Sequence, residues 1–303
     1  MANLKFIDLF AGIGGFHIAL KSLGMSCVFT SEIDEFARHT YKANFKETYL
    51  NNEKLFAGDI WKVDFNKIPN FDILCAGFPC QPFSQAGHKK GFKDNKDGNL
   101  FFSIKEIIEI KKPKVFFLEN VRHLKNHDNG NTFKVIYKTL QKLNYTFDYK
   151  IIKASEFGLP QHRPRIYMVG FNKNYLKNTY KEMSFTFPKE IPLKKTVSDI
   201  FGGFVSKDLN GKEERKIGFT LRVGGGRSPI DDRRNWDGYI VDKKIVRINS
   251  KQGLEMMGFP TNFKMPVSEN QAMKQLGNSV AVNVVKAIGK EIESHLKFYG
   301  KKN

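Results

Sequence analysis

Cysteine is scarce in this chain, with three residues, Cys27, Cys75 and Cys80, among 303. Their spacing suits neither a metal site nor a disulfide framework, so each is by default a small buried hydrophobe, and no metal is expected. No apolar run is long enough to cross a bilayer, and no basic amphipathic helix stands at a terminus to lie on one. The opening MANLKFIDLFAGIGGF lacks the basic, apolar and small-residue order of a secretory signal, so a cytoplasmic protein is expected. Internal repeats and low-complexity tracts are missing too, which excludes a repeat array. Acidic residues are in deficit: 31 Asp and Glu face 50 Lys and Arg, a formal charge of +19. A field of that sign attracts polyanions, and without a membrane-binding element the expected partner is nucleic acid.

What is present describes a folded enzyme-sized chain, 41% hydrophobic and 27% charged, long enough for two domains or one large domain with an insertion. LKFIDL reads as a strand, followed by a glycine turn (Gly12, Gly14, Gly15) and a helical pattern through Phe16, Ala19, Leu20 and Leu23. Further strands are expected at Cys27–Thr30, Phe71–Cys75, Val115–Leu118 and Ile166–Val169, with helical stretches between them. That alternation predicts a parallel sheet covered on both faces, with ligands bound beyond the carboxyl ends of its strands. After about residue 183 the text turns glycine-rich and charged, and residues 184–267 read as a smaller, irregular β-rich domain. Helical periodicity returns in QAMKQLGNSVAVNVVKAIGKEIESHL.

Two groups of residues suggest chemistry. The glycine turn in DLFAGIGGF does not have the GxGxxG spacing of dinucleotide sites, which argues against an oxidoreductase. It still permits close backbone approach to a ligand, and Glu32, at the end of the second strand, sits where a carboxylate accepts ribose hydroxyls. Gly58-Asp59-Ile60 can add a carboxylate near an adenine amino group. The second group begins with Cys80, in a loop just past FDILCA, between Pro79 and Pro82, which restrict the backbone around it. A nucleophilic thiol needs a positive environment or a base. Glu119 ends the strand KVFFLENV, and Arg163 and Arg165 lie on one side of a strand start. Each segment taken alone also reads as ordinary structure: a structural Pro-Cys, a helix cap, two surface charges.

In order, DLFAGIGGF, SEID, GDI, GFPCQPFS, ENV, FGLPQHRPRIYMVGF, GLEMMGFP and QLGNSV resemble the motif series of bacterial DNA cytosine-C5 methyltransferases of restriction-modification type, over residues 4 to about 170 and 245 to 285. The resemblance implies a Rossmann-like catalytic domain with a mixed, mostly parallel sheet and helices on both faces, spanning 1–183. It implies a small target-recognition domain at 184–267 and a segment, 268–303, that returns to the catalytic domain. Cys80 would be the nucleophile, Glu119 the acid at the pyrimidine ring, and Arg163 and Arg165 their catalytic partners. S-adenosylmethionine would bind at Phe10, Gly12, Ile13, Gly14, Gly15, Glu32, Ile33, Asp59 and Ile60, with Pro79, Leu100, Asn278 and Ser279 completing the pocket. DNA would meet Gln81, Ser84 and Lys89 in a closing loop, and Thr220, Arg222, Gly225 and Arg227 in the recognition region, where Arg233 and Arg234 are also candidates. The expected partners are duplex DNA and a restriction endonuclease acting on the same site, with the enzyme a monomer.

Two other readings compete. A branch of the same family modifies transfer RNA, but its Cys-Phe-Thr signature is missing, and the nearest text is Gly218-Phe219-Thr220. A catalytically dead DNA-binding relative is opposed by the intact Cys80, Glu119, Arg163 and Arg165. With a labelled methyl donor, the purified protein is expected to label duplex DNA and leave transfer RNA unlabelled; label confined to transfer RNA would overturn the DNA reading.

Overall fold

A computed structural model describes residues 3–46, 54–79, 100–177, 184–224 and 226–302. The first apolar run becomes the centre of its main sheet. β1 (Lys5–Leu9) is buried from Phe6 onward, and α1 (Gly15–Lys21) carries the chain to β2 (Ser26–Ser31), parallel beside it. α2 (Glu35–Asn44), whose first turn is capped by Asp34 accepting from Ala37 N at 3.0 Å, precedes the two-residue edge strand β3 (Phe56–Ala57). On the other side of β1, β4 (Ile73–Gly77) and β5 (Val115–Val121) add in parallel, separated in the chain by α3 (Leu100–Lys111). α4 (Asn131–Lys142) leads to β6 (Asp148–Lys153) at the far edge, and β7 (Pro164–Phe171) fills the slot between β5 and β6. The order is β3-β2-β1-β4-β5-β7-β6. The sheet is therefore mixed and mostly parallel.

The reversed strand is the one expected at Ile166–Val169, which runs antiparallel to both neighbours instead of continuing a wholly parallel sheet. The short link from β6, residues 154–163 with one 3-10 turn, falls below the dozen or so residues that a parallel crossover needs. β4 runs two residues past its expected end, and β5 continues through Glu119, Asn120 and Val121, where KVFFLENV is expected to end as a strand. β3 and β6 escape a sequence reading: one has two residues, and the other buries only Ile152.

Strand side chains alternate, so the sheet has two cores. On one face Leu74, Phe116, Leu118 and Met168 meet α3 and α4 through Ile104, Ile108, Ile136 and Leu140. On the other, Phe6, Cys75, Phe117 and Tyr167 meet α1 and the last helix, α9 (Val282–Lys302), which buries Val284, Ile288, Ile292 and Leu296 at four-residue spacing. Cys27 and Cys75 are buried there as small hydrophobes.

After the short α5 (Lys173–Leu176), the irregular region holds α6 (Val197–Phe201), a three-stranded antiparallel sheet of β8 (Val205–Ser206), β9 (Gly238–Val241) and β10 (Lys244–Arg247), and α7 (Ser250–Met257). Its Leu221, Trp236 and Tyr239 join the same core as Phe117 and Val285, so one apolar interior crosses from the large sheet into this region. The C-terminal periodicity is interrupted: α8 (Glu269–Asn278) stops at an extended Ser279 (ψ 161), and α9 starts three residues later.

The turn from β1 into α1 depends on backbone that side chains tolerate poorly. Gly14 has φ +87, and a Cβ there would stand 2.7 Å from Phe45 Cζ and 2.9 Å from Tyr41 Cε2. Gly14→Ala is expected to lower unfolding stability by roughly 1–3 kcal/mol in chemical denaturation, through strain and overlap together.

Candidate active site

The carboxyl ends of β1, β2, β4 and β5 open on one side of the sheet, and one cavity of about 910 Å³ runs along them. At one end lies the β1–α1 turn. Its backbone is folded back by positive φ at Phe10 (56°) and Gly12 (55°), and it is stitched to the end of β2 by Ala11 N donating to Ser31 O at 2.9 Å. Gly12 N donates to Glu32 Oε2 at 2.7 Å, and Asp34 N to Oε1 at 2.8 Å. Each carboxylate oxygen keeps a lone pair for a ligand. Burial lifts the Glu32 carboxyl above its usual range, against the pull of those amides.

Phe10, Gly12, Glu32, Asp59, Ile60 and Leu100 line this end of the cavity. Ile33 also lines it while remaining 71% exposed, an apolar side chain with little to cover it. Asn278 faces the cavity from the end of α8. Four expected contacts do not reach it: Ile13 is core, Gly14 abuts Phe45, Gly15 abuts Val280, and Ser279 is buried with its hydroxyl donating to Val280 O at 3.3 Å. They lie behind the wall. Gln275 is the reverse case, a lining residue absent from the expected set. Its Oε1 accepts from Thr40 Oγ1 at 2.9 Å, which leaves the buried Nε2 without a partner. The available signal was its place three residues before Asn278, on the same face of a helix.

At the other end are Phe78 and Pro79, the last described residues before Cys80. Asn120 Nδ2 donates to Phe78 O at 2.8 Å, so the end of β5 holds the base of that loop. Glu119, 7% exposed, faces the cavity with Arg165 Nε 3.0 Å from its Oε1, in an ion pair not aligned as a hydrogen bond. Burial raises the Glu119 carboxyl above its usual range, opposed by Arg165 and Arg163. A buried acid inclined to hold its proton can hydrogen-bond a ring nitrogen.

Arg163 lines the cavity but does not hydrogen-bond Glu119. Its Nη1 donates to Leu221 O at 3.0 Å, and its Nη2 to Gly277 O at 2.8 Å and Ser279 O at 2.5 Å. The irregular region supplies Thr220 and Arg222 to the same wall. Arg227 stands away from it with its backbone N–H on the Asp237 carboxylate, and Arg234 is paired with Asp232 at 2.7 Å. Cys80, Gln81, Ser84, Lys89 and Gly225 lie outside the described residues.

Comparison with known proteins adds to this geometry. Residues 4–223 and 210–294 match the family described as C-5 cytosine-specific DNA methylase. The chain is 38% identical to type II methyltransferase M.HhaI of Haemophilus parahaemolyticus, over 98% of this chain and 97% of that one. It is 42% identical to type II methyltransferase M.SsoII of Shigella sonnei, over 96% and 80%. Among solved structures, DNMT2 of Spodoptera frugiperda superposes with TM-score 0.71 at 22% identity, over 96% of this chain and all of that one, which is a likeness of fold.

The raised Glu119 carboxyl has a thermodynamic sign. The folded protein holds that proton more tightly than the unfolded chain, so this group's contribution to stability falls as pH rises above the ordinary carboxylate range. Glu119→Gln removes the titration. Its melting temperature relative to wild type is expected to climb between about pH 4 and pH 8 in thermal unfolding; a flat or falling difference would contradict a raised carboxyl.

Proposed function

The chain belongs to the C-5 cytosine-specific DNA methylase family, so its reaction is methyl transfer to C5 of cytosine in DNA, and we propose how its residues perform it. The observation that carries the proposal is the single cavity shared by the β1–α1 turn and the Glu119–Arg165 pair, which allows a methyl donor and a cytosine to meet.

The donor end suits S-adenosylmethionine. Glu32 and Asp59 offer acceptors for ribose hydroxyls and an adenine amino group, Ile33 offers an apolar face to a flat ring, and the orphan Nε2 of Gln275 needs an acceptor. Phe10, Gly12, Ile60, Pro79, Leu100 and Asn278 complete the enclosure. Ile13, Gly14, Gly15 and Ser279 act from behind, by shaping the turn and the closing segment. When bound, S-adenosylmethionine supplies an electrophilic methyl group on a sulfonium.

C5 of cytosine is too weak a nucleophile to take that methyl unaided. The Cys80 thiolate adds to C6, and the ring electrons shift through C5 and C4 to N3, which takes a proton from Glu119. C5, now the carbon of an enamine, bonds the methyl group as the methyl–sulfonium bond breaks, and the donor's sulfur leaves as a neutral thioether. A base, with bound water a candidate, removes the C5 proton; the electrons of that bond expel Cys80 as thiolate, and N3 returns its proton to Glu119. Arg165 holds the carboxyl through the 3.0 Å ion pair, and Arg163 acts through the backbone that it grips.

Cytosine reaches the cavity only by leaving the duplex, at a cost of a few kcal/mol in stacking and pairing. In this reading Gln81, Ser84 and Lys89 close over the DNA, while Thr220, Arg222, Gly225 and Arg227 meet its bases or phosphates. Residues 1–183, 184–267 and 268–303 act as catalytic, recognition and returning segments of a monomer. The enzyme works in the cytoplasm beside an endonuclease that cuts the same unmethylated site. Among the described residues no helix is long and apolar enough to cross a membrane.

Bisulfite sequencing of plasmid from cells expressing the protein is expected to show 5-methylcytosine in one sequence context, and N4-methylcytosine or N6-methyladenine instead would overturn the mechanism. Cys80→Ser is expected to drop methyl transfer to background while DNA binding persists, and Glu119→Gln to slow it by about 10²–10⁴-fold.

A further inference from the structure

Leu221 is buried between two cavity-lining residues, Thr220 and Arg222, and both polar atoms of its peptide are taken by side chains of the catalytic domain. Its N–H donates to Gln161 Oε1 at 3.1 Å, and its carbonyl accepts from Arg163 Nη1 at 3.0 Å. Gln161 is fully buried and is itself held, with Nε2 donating to Met256 O at 3.2 Å in α7. The backbone continues the seam: Gly218 N donates to Pro160 O and His162 N to Gly218 O, each at 2.9 Å, and Thr220 Oγ1 donates to His162 O. Two residues beyond Arg163, Arg165 grips Glu119.

Segment 160–165 thus touches the reading segment with one stretch and the reacting carboxyl with the next. Segment 218–222 is extended chain tied to the catalytic domain by one bridge, Gln161 to Gly218, and it carries Thr220, Leu221 and Arg222 into the cavity wall, so its seating along 160–163 decides which of its groups face the DNA beside Glu119. Holding that seating by one buried amide and one buried guanidinium is costly to break, because each lost partner leaves a buried polar group unpaired.

We propose that Gln161 and Arg163 are positioning residues that lock the target-reading segment 218–222 in register with Glu119, so that a cytosine enters reactive geometry only when its flanking sequence is seated correctly. This rests on the methyltransferase reading above. Arg163 then serves the reaction through fidelity, by way of Leu221, Gly277 and Ser279, without touching the base.

The test is bisulfite sequencing of a randomised duplex library methylated by the wild-type protein, by Gln161→Met, which keeps the side chain's length but not its bonds, and by Arg163→Lys, which keeps charge but not the fork. Thr220→Val, a milder break in the same seam, covers the case in which a buried variant does not fold. Gly289→Ala is the control for plain destabilisation, since its Cβ would press on Leu20 at 2.6 Å, far along the chain from the seam. Methylation of sites one base pair away from the preferred one, relative to that site, is expected to rise by roughly tenfold in the seam variants. In the same variants kcat is expected to fall more than DNA affinity does, and the control is expected to keep wild-type stringency. Seam variants that still methylate with unchanged stringency would overturn the lock alone. No 5-methylcytosine from the wild-type protein would overturn the function, and the lock with it.

Discussion

A guanidinium 2% exposed to solvent organises this molecule. Arg163 is held in the interior through its two terminal nitrogens, which donate to three carbonyls, Leu221, Gly277 and Ser279, from parts of the chain far apart in sequence, while its Nε has no hydrogen-bond partner among the described residues. Burial, with Arg165 beside it, draws its pKa down to about 9, so it stays charged at neutral pH. The grip explains why the C-terminal helical pattern breaks at Ser279: continuing α8 would turn into the helix the carbonyls that Arg163 needs. It also explains how an irregular region with three short strands keeps a defined edge against the catalytic cavity.

Glu119 shows the opposite balance. Removal from water favours its neutral form and two arginines favour its charged form, with burial the stronger influence. The carboxyl therefore holds its proton to higher pH than an exposed carboxylate does, the property that the proposed protonation of N3 draws on. Asn120, the next residue, donates to the Phe78 carbonyl, so the strand that carries Glu119 also ties down the end of the segment after β4.

Much of this was legible in the chain before any coordinates. Regular βα alternation and strand-end placement located Glu32, Glu119 and Pro79 on one edge of a sheet, because a parallel sheet leaves its loops no other place for a site. Other features were illegible for physical reasons. β6 exposes nearly all of its residues, and the antiparallel insertion of β7 depends on a short link, not on the strand's own composition. Gln275 and Gln161 lie inside the motifs QLGNSV and FGLPQHRPRIYMVGF, but the motifs do not tell which buried partners their amides take, since those lie far along the chain.

The sequence by itself determined the chemistry. The motif series from DLFAGIGGF to QLGNSV, within the family match over residues 4–223 and 210–294, marks a cytosine-C5 DNA methylase, because the reaction needs particular functional groups in particular loops and those are written locally. Tertiary structure alone decided which residues share the cavity and which stand behind it. Ile13, Gly14 and Gly15 are not among the residues that line it, Gln275 is, and Arg163 hydrogen-bonds backbone carbonyls and not Glu119. Those assignments depend on where buried polar atoms find partners, and the partners lie tens to more than a hundred residues away along the chain.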